Sequence, residues 1–335
     1  MVPTIRDVAK KANVSVATVS RILNGLTGYS DKTKQKVLKT IEEMGYRPNA
    51  IARSLNNRRT QTIGVLFPAV SNEFSSALLH GIEEYAQGRH FSVLVCNTAD
   101  DGNRTLSYLH VLHEKQVDGV IFASEVLREE YAKVLRKMDM PVVLLSSEAE
   151  HLGFPHVKVD DRRAAYDAVC YLIGKGHRKI AMISGTKGDP LAGTPRVEGY
   201  KQALTDNGLP FREDRVVYGN FSFESGIYAM EVLLKQAEGF TAVFAASDEM
   251  AVGALACASE HGISIPDDVS IIGYDNIRLS MMVQPPLTTV SQPLVEMGRS
   301  AAEKLIHMIE AGEMITSSIV PHQIVERQSV RSLHS

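Results

Sequence analysis

From Thr62 onward the chain alternates short apolar runs with amphipathic stretches of helical period, a rhythm that few folds can satisfy. TIGVLFPAV is followed by the polar turn Ser71-Asn72-Glu73 and an expected helix from Phe74 to Arg89. FSVLVCNTA, a helix over 103–115, VDGVIFAS, a helix over 128–138 and PVVLLSS continue the pattern. The rhythm restarts after Asp160-Asp161 with helix 162–175, KIAMISG, helix 194–207, RVVYGNF, helix 224–236, TAVFAAS and helix 248–261. DVSIIGYDN and TTVSQP close it. Repeated βα units bury themselves as parallel sheets covered by helices on both faces, so this half-and-half pattern predicts an α/β core of two lobes. Open parallel sheets bind ligands at the carboxyl ends of their strands, and facing lobes are expected to trap one small molecule between them.

A chain of 335 residues is long enough for two or three cores. No apolar run approaches the roughly 18 to 20 residues of a membrane span, and MVPTIRDVAKKA lacks the apolar stretch of a signal peptide. Cys96, Cys170 and Cys257 stand alone inside apolar segments, which predicts reduced core residues and a cytoplasmic protein with no membrane role. The net charge of −3 hides a sharp asymmetry. Residues 1–60 carry twelve Lys and Arg against four acids, or +8, so the remaining 275 residues carry −11. A basic head on an acidic body predicts a polyanionic partner for the head, although a solvated Lys-rich surface would read the same on charge alone.

The head itself has the pattern of three short helices. Thr4 is an apt N-cap for a helix through Ile5, Val8, Ala9 and Ala12, and Ser15 for a second over Val16 to Leu23 with Val19, Ile22 and Leu23 inward. Asn24-Gly25 ends the second helix. A third is expected from Asp31 to Met44, with Val37, Leu38 and Ile41 inward and Gly45 after its end. Helix, tight turn, helix and supporting helix form a helix-turn-helix unit. The outer face of the second helix is small and hydrogen-bonding, as a major groove requires. Val16 and Ala17 suit thymine methyls and base edges, Thr18, Ser20 and Asn24 suit phosphates, and Arg21 suits guanine or phosphate. A plain packing role for the helix pair is the alternative.

The stretch TIRDVAKKANVSVATVSRILNG, followed by GYRPNAIARSL, resembles the headpiece and hinge of the lactose-repressor (LacI/GalR) family, and the likeness continues along the chain. The resemblance implies a dimeric repressor that binds operator DNA. It implies that residues 1–47 are the DNA-binding domain and that 48–60 form a hinge helix ordered on DNA, where Leu55 wedges into the minor groove. Thr4, Ser15, Tyr46, Asn49, Ala52 and Arg53 join the groove-reading residues as implied DNA contacts. The sensor core is implied to have the two-lobed fold of periplasmic binding proteins, crossed three times by the chain. The first lobe is then 61–160 with 291–320, ending in a helix over about Leu294 to Glu310, and the second 161–290 with 321–335.

Candidate effector residues fall at strand ends. After KIAMISG comes TKGDPLAGTPRVEGY, which puts Arg196 in the first turn of the next helix; Asp248 follows TAVFAAS and Asp275 follows SIIGY, and these match the family's arginine and two acidic positions. Phe221 matches an aromatic stacking position, and Phe74, Ser75, Ser124 and Ser147 complete a mixed pocket. An arginine fork and carboxylates that accept from vicinal hydroxyls suit a sugar, a sugar phosphate or a purine-like corepressor. Asp248 could equally cap helix 248–261, and Phe221 could be core.

Enzyme signatures do not occur: there is no Walker loop, GxSxG or HExxH. His177 in IGKGHRK reads as part of a polar surface turn, and Gly185-Thr186-Lys187-Gly188 lacks phosphate-loop spacing. No catalysis, cofactor or metal is expected. An alternative function is that of a catabolite-control regulator driven by a serine-phosphorylated phosphocarrier protein. Against it, Gly298-Arg299-Ser300-Ala301-Ala302-Glu303-Lys304-Leu305 puts Glu303 where the resemblance calls for arginine, and an acid repels phosphoserine. The tail after His322 lacks a leucine-heptad segment, so a homodimer is expected.

Overall fold

The chain divides into two units, Met1–Thr60 and Gln61–Ser335. A computed structural model describes residues 3–23, 26–46, 59–99, 102–237 and 239–334. The first unit holds α1 (Ile5–Lys11), α2 (Val16–Leu23) and α3 (Asp31–Met44). Thr4 and Asp7 cap α1 reciprocally: the Asp7 amide donates to the Thr4 hydroxyl, and the Thr4 amide donates to the Asp7 carboxylate at 2.9 Å. Such a cap contributes about 1 kcal/mol to helix stability. The Thr18 amide donates to Ser15 Oγ at 3.0 Å at the start of α2. Ser30 caps α3, and Gly45 ends it in the left-handed region at φ +58°.

Val8, Ala9, Ala12, Val19, Ile22 and Val37 form the small core of this unit. Leu38, expected inward, is instead 45% exposed, while Thr40 is buried. The inward stripe of α3 runs Val37, Thr40, Ile41, Met44, and Leu38 sits one residue, or about 100° of helix rotation, off it. Thr40 tolerates burial because its hydroxyl donates to the Lys36 carbonyl at 2.8 Å.

The second unit begins β1 (Thr62–Phe67), α4 (Glu73–Gly88), β2 (Ser92–Asn97), α5 (Thr105–Glu114), β3 (Gly119–Ala123), α6 (Glu129–Met138), β4 (Val142–Leu145), β5 (His156–Lys158). It continues α7 (Asp161–Gly174), β6 (Ile180–Ser184), α8 (Gly193–Asp206), β7 (Val216–Tyr218), α9 (Phe223–Gln236), β8 (Ala242–Ala245), α10 (Asp248–Glu260), β9 (Ser270–Asp275). It closes with α11 (Leu279–Met282), β10 (Thr288–Ser291), α12 (Leu294–Ala311), β11 (Ser318–Ile319) and β12 (Gln323–Val325). One sheet has the order β11-β5-β4-β3-β1-β2, the other β12-β10-β9-β8-β6-β7. Every pairing is parallel except that of β10 with β12. The chain passes between sheets after β5, after β10 and after β11.

Central strands such as β3 and β8 are buried along their whole length, which is why they read as unbroken apolar runs. In the first lobe α12 lies so close to α4 that a Cβ on Gly81 would meet the Val295 carbonyl oxygen at 1.9 Å, and one on Gly298 the Leu78 carbonyl oxygen at 2.0 Å. Backbone packs on backbone there, and only glycine permits it. His177 does not sit on a surface turn. It is fully buried, with Nδ1 3.0 Å from the Thr241 hydroxyl and Nε2 3.2 Å from the Arg331 carbonyl oxygen, joining the C-terminal tail to the second lobe. Burial, only partly offset by the Arg331 contact, holds its pKa below the ordinary histidine value, so the apolar neighbours keep it neutral. Among the described residues, no helix is long and apolar enough to cross a membrane.

Candidate functional site

Two surfaces collect the residues singled out above. On α2 the buried Val19 and Ile22 fix which side is outward, leaving Val16, Ala17 and Arg21 exposed and Thr18 and Ser20 partly so. Val16 is 41% exposed, an apolar side chain held out at the N-terminal end of the helix. Tyr46 packs against the three-helix core beside Met44. Thr4 and Ser15 serve as caps. Asn24, Asn49, Ala52, Arg53 and Leu55 lie outside the described residues.

The second surface is a cavity of about 480 Å³ where strand ends of the two sheets face each other. Phe74, Ser75, Ser124, Arg196, Phe221 and Asp275 all lie on its wall. Ser147 and Asp248 do not, and the structure gives each an internal task instead. The Ser147 hydroxyl donates to the Glu125 carbonyl oxygen at 2.8 Å. Asp248 is fully buried, accepting from the Thr289 hydroxyl at 2.6 Å and the Ile277 amide at 2.9 Å. Its carboxylate points into the protein, tying the segment after β9 to β10; the cap of α10 is supplied by Ser247. Further wall residues that the sequence reading passed over include Asn72, Glu125, Ser146, Lys158, Asp161, Asp189, Glu249 and Gln292. Several stand at or just after strand ends, the signal that found Asp275, but nothing local separates them from ordinary loop polar residues.

Arg196 is 5% exposed, and its charge is already engaged. Nε and Nη2 donate to Asp161 Oδ1 at 2.9 and 2.7 Å, and Nη1 donates to the Ala246 carbonyl oxygen. The Tyr274 ring lies 3.6 Å from the guanidinium carbon, and its hydroxyl donates to the same Asp161 oxygen at 3.1 Å. Burial lowers the guanidinium pKa, but Tyr274, Asp161 and Asp275 together outweigh it, so the pKa rises and the charge is held. Asp275 is pushed the other way from a normal carboxylate. Burial raises it to about 7, despite the pull of Arg196 and the 2.7 Å hydrogen bond it accepts from Gln292 Nε2. Burial, then the charges of Glu73 and Glu224, also raise the half-buried Glu249.

Phe221 holds φ +69° and lays its ring over Gly185, where any Cβ would fall 1.9 Å from the ring. The glycine after β6 therefore serves an aromatic wall rather than a phosphate. Ser124 and Ser146, at the ends of β3 and β4, hold φ +55° and +49°, and their Oγ atoms are buried without a hydrogen-bond partner. Strained backbone and unpartnered hydroxyls at one cavity are what a binding site, not a packed core, retains.

Residues 4–49 match the bacterial regulatory proteins of the lacI family, and residues 169–330 a periplasmic binding protein-like domain. The chain is 44% identical to catabolite control protein A of Priestia megaterium, across 98% of this chain and 99% of that protein. It superimposes on the lac repressor dimer bound to operator and the anti-inducer ONPF with a TM-score of 0.89 at 26% identity, covering 99% of this chain and 100% of that one. A LacI family regulator from Enterococcus faecium with bound ribose gives a TM-score of 0.73 at 34% identity, over 81% of this chain and 99% of that one.

Proposed function

The chain belongs to the LacI family of bacterial regulatory proteins, and from that premise we propose how its parts divide the work of a repressor. It is a DNA-binding transcription regulator whose operator affinity is set by a small-molecule effector. In the reading proposed here, α2 lies in the major groove with Val16 and Ala17 against base edges and Arg21 on guanine or phosphate. Residues 48–60 serve as the hinge, with Leu55 as the minor-groove wedge. The repressor works as a cytoplasmic homodimer on a pseudo-palindromic operator, and the reading assigns it no catalytic step.

The effector is a sugar or sugar phosphate held between the lobes by Arg196, Asp275 and Phe221, with Phe74, Ser75 and Ser124 opposite. The observation that carries this is the cavity of about 480 Å³ at the strand ends, walled by both sheets. Reciprocal linkage makes it testable: a ligand that changes operator affinity must change its own affinity by the same factor when operator is bound. Operator binding by the full chain, measured by fluorescence anisotropy at fixed salt across a sugar and sugar-phosphate panel, is expected to shift with at least one member. An unchanged affinity throughout would refute the effector reading.

A catabolite-control regulator driven by a phosphocarrier protein is the second reading, the alternative that the sequence raises. The outer face of α12 speaks against it. Glu303 is exposed there, Arg299 pairs with Glu84 at 3.8 Å, and Lys304 Nζ is occupied by the Thr316 carbonyl oxygen at 2.9 Å.

A further inference from the structure

The proposed sensor cavity, on whose reading this step rests, has a charge pattern that discriminates between the two effector classes left open. We infer that it selects an uncharged polyhydroxyl ligand and rejects the phosphate ester of the same ligand.

Among the described residues three cations reach the wall, and the two buried ones, Arg196 and Lys158, are already paired with carboxylates. Arg196 has its charge balanced by Asp161 at 2.7 Å and three of its five N–H groups engaged by Asp161 and the Ala246 carbonyl oxygen, leaving N–H groups for a hydroxyl but no unpaired charge for a phosphate. Lys158, buried to 7% exposure, is paired with Glu148 at 3.0 Å. Arg128 is about half exposed, facing Glu130 at 3.8 Å and the Tyr131 ring. Pulling any of these from its partner to meet a phosphate would leave a carboxylate unpaired, in the cases of Arg196 and Lys158 a buried or half-buried one.

The acids are placed oppositely. Asp275 and Glu249 both lie on the wall, and among the described residues neither forms an ion pair. Asp275 accepts from an amide, Gln292, rather than from a cation. A dianionic phosphate beside Asp275 and Glu249 meets carboxyl groups with no unpaired buried cation to offset them, and the repulsion is complete only above about pH 7, where Asp275 is ionised. Hydroxyl groups meet the reverse situation: carboxylate oxygens accept from them, and the unpartnered Oγ atoms of Ser124 and Ser146 can donate or accept. The cavity is thus matched to O–H groups on a neutral ring.

The test titrates the full-length protein at pH 8, above the Asp275 pKa of about 7, with ribose, glucose and galactose, and with the terminal phosphate monoester of each, by calorimetry and by thermal shift. The expected result is that at least one free sugar binds and its own ester binds roughly tenfold or more weakly. In the Glu249→Gln variant that ratio narrows, because one of the two repelling carboxylates is gone while the side chain keeps its length and shape. An ester that binds as tightly as its parent sugar, or more tightly, overturns the inference while leaving the sensor reading intact. If no member of either set binds or moves operator affinity, the sensor reading falls and the inference with it.

Discussion

Replacing Asp275 with asparagine isolates the cost of keeping a carboxylate in the cavity wall. Burial raises its pKa from 3.8 to about 7 against the pull of Arg196. A group whose folded pKa lies above its unfolded value stabilises the fold below the unfolded pKa, and that contribution is lost as pH rises through the folded pKa. The window is therefore about pH 4 to 7. A shift of roughly three units corresponds to about 4 kcal/mol between its ends, as an upper figure. Asparagine keeps an oxygen to accept from Gln292 but never ionises, so Asp275→Asn should match the wild type more closely near pH 4 and gain on it steadily up to pH 8. Asp248 and Glu249 titrate with the same sign, but they remain in both proteins. Their contribution cancels in the difference, except that relieving Asp248 of a neighbouring charge adds in the same direction. Urea unfolding followed by circular dichroism at five pH values gives the difference curve. A flat curve, or a variant that falls further behind at high pH, would refute the burial argument.

Arg196→Met should cost the core about 3–5 kcal/mol, because it leaves the buried Asp161 carboxylate uncompensated; adding Asp161→Asn should recover part of the loss in a double-mutant cycle read by urea unfolding. Gly298→Ala forces α12 away from the Leu78 carbonyl oxygen, so a loss of about 1–3 kcal/mol is expected in the same assay, with operator contacts unaffected at saturating protein. Arg21→Ala should weaken operator binding, and anisotropy across salt concentrations separates its two possible roles. A phosphate contact lowers the salt slope by about one unit uniformly across sequences, whereas a guanine contact relaxes specificity at one base pair by about 1–3 kcal/mol. Phe221→Ala should weaken effector binding by about tenfold in calorimetry while the operator affinity of the unliganded protein holds, since the ring covers Gly185 and the cavity rather than the second core's centre.

How much of this was readable in the chain depended on whether the signal was local. The buried parallel strands announce themselves as apolar runs, and the helices between them as amphipathic stretches with Ser, Asn or Asp at their starts, as at Asn72, Asp160 and Ser222. β5, β11 and β12 are two or three residues long, too short for any period to show, and they exist because neighbouring strands offer free edges. Within the site, Phe221 and Asp275 stand at or just after strand ends and Arg196 in the first turn of α8, so all three were reachable. That Arg196 is neutralised by Asp161, 35 residues earlier, was not, since the pair is made by two helices meeting across the second lobe. Asp248 misled for a related reason: it stands at a strand end like a ligand residue, yet its side chain turns inward to Thr289 and Ile277, 41 and 29 residues away.

That inward turn of Asp248 matters for how a cavity could be coupled to anything else. The segment after β9 leaves the second sheet, but Ile277 and Leu279 pack into the hydrophobic core of the first lobe. Two attachments of different kinds thus meet in a few residues. On the second-lobe side they are directional: Asp248 holds the Ile277 amide, and Arg327 donates to Asn276 Oδ1 at 2.6 Å and to the Ser280 hydroxyl at 3.0 Å. On the first-lobe side they are apolar contacts plus one hydrogen bond, from the Leu279 amide to the Glu73 carboxylate at 3.0 Å. Apolar contacts tolerate sliding, whereas a hydrogen bond weakens steeply with misalignment. A change in lobe separation would therefore leave segment 276–280 with the second lobe and be taken up at Glu73 and the apolar contacts. Asp275 and Ile277 both lie on the cavity wall, so the ligand pocket and this sliding contact share one short stretch of chain.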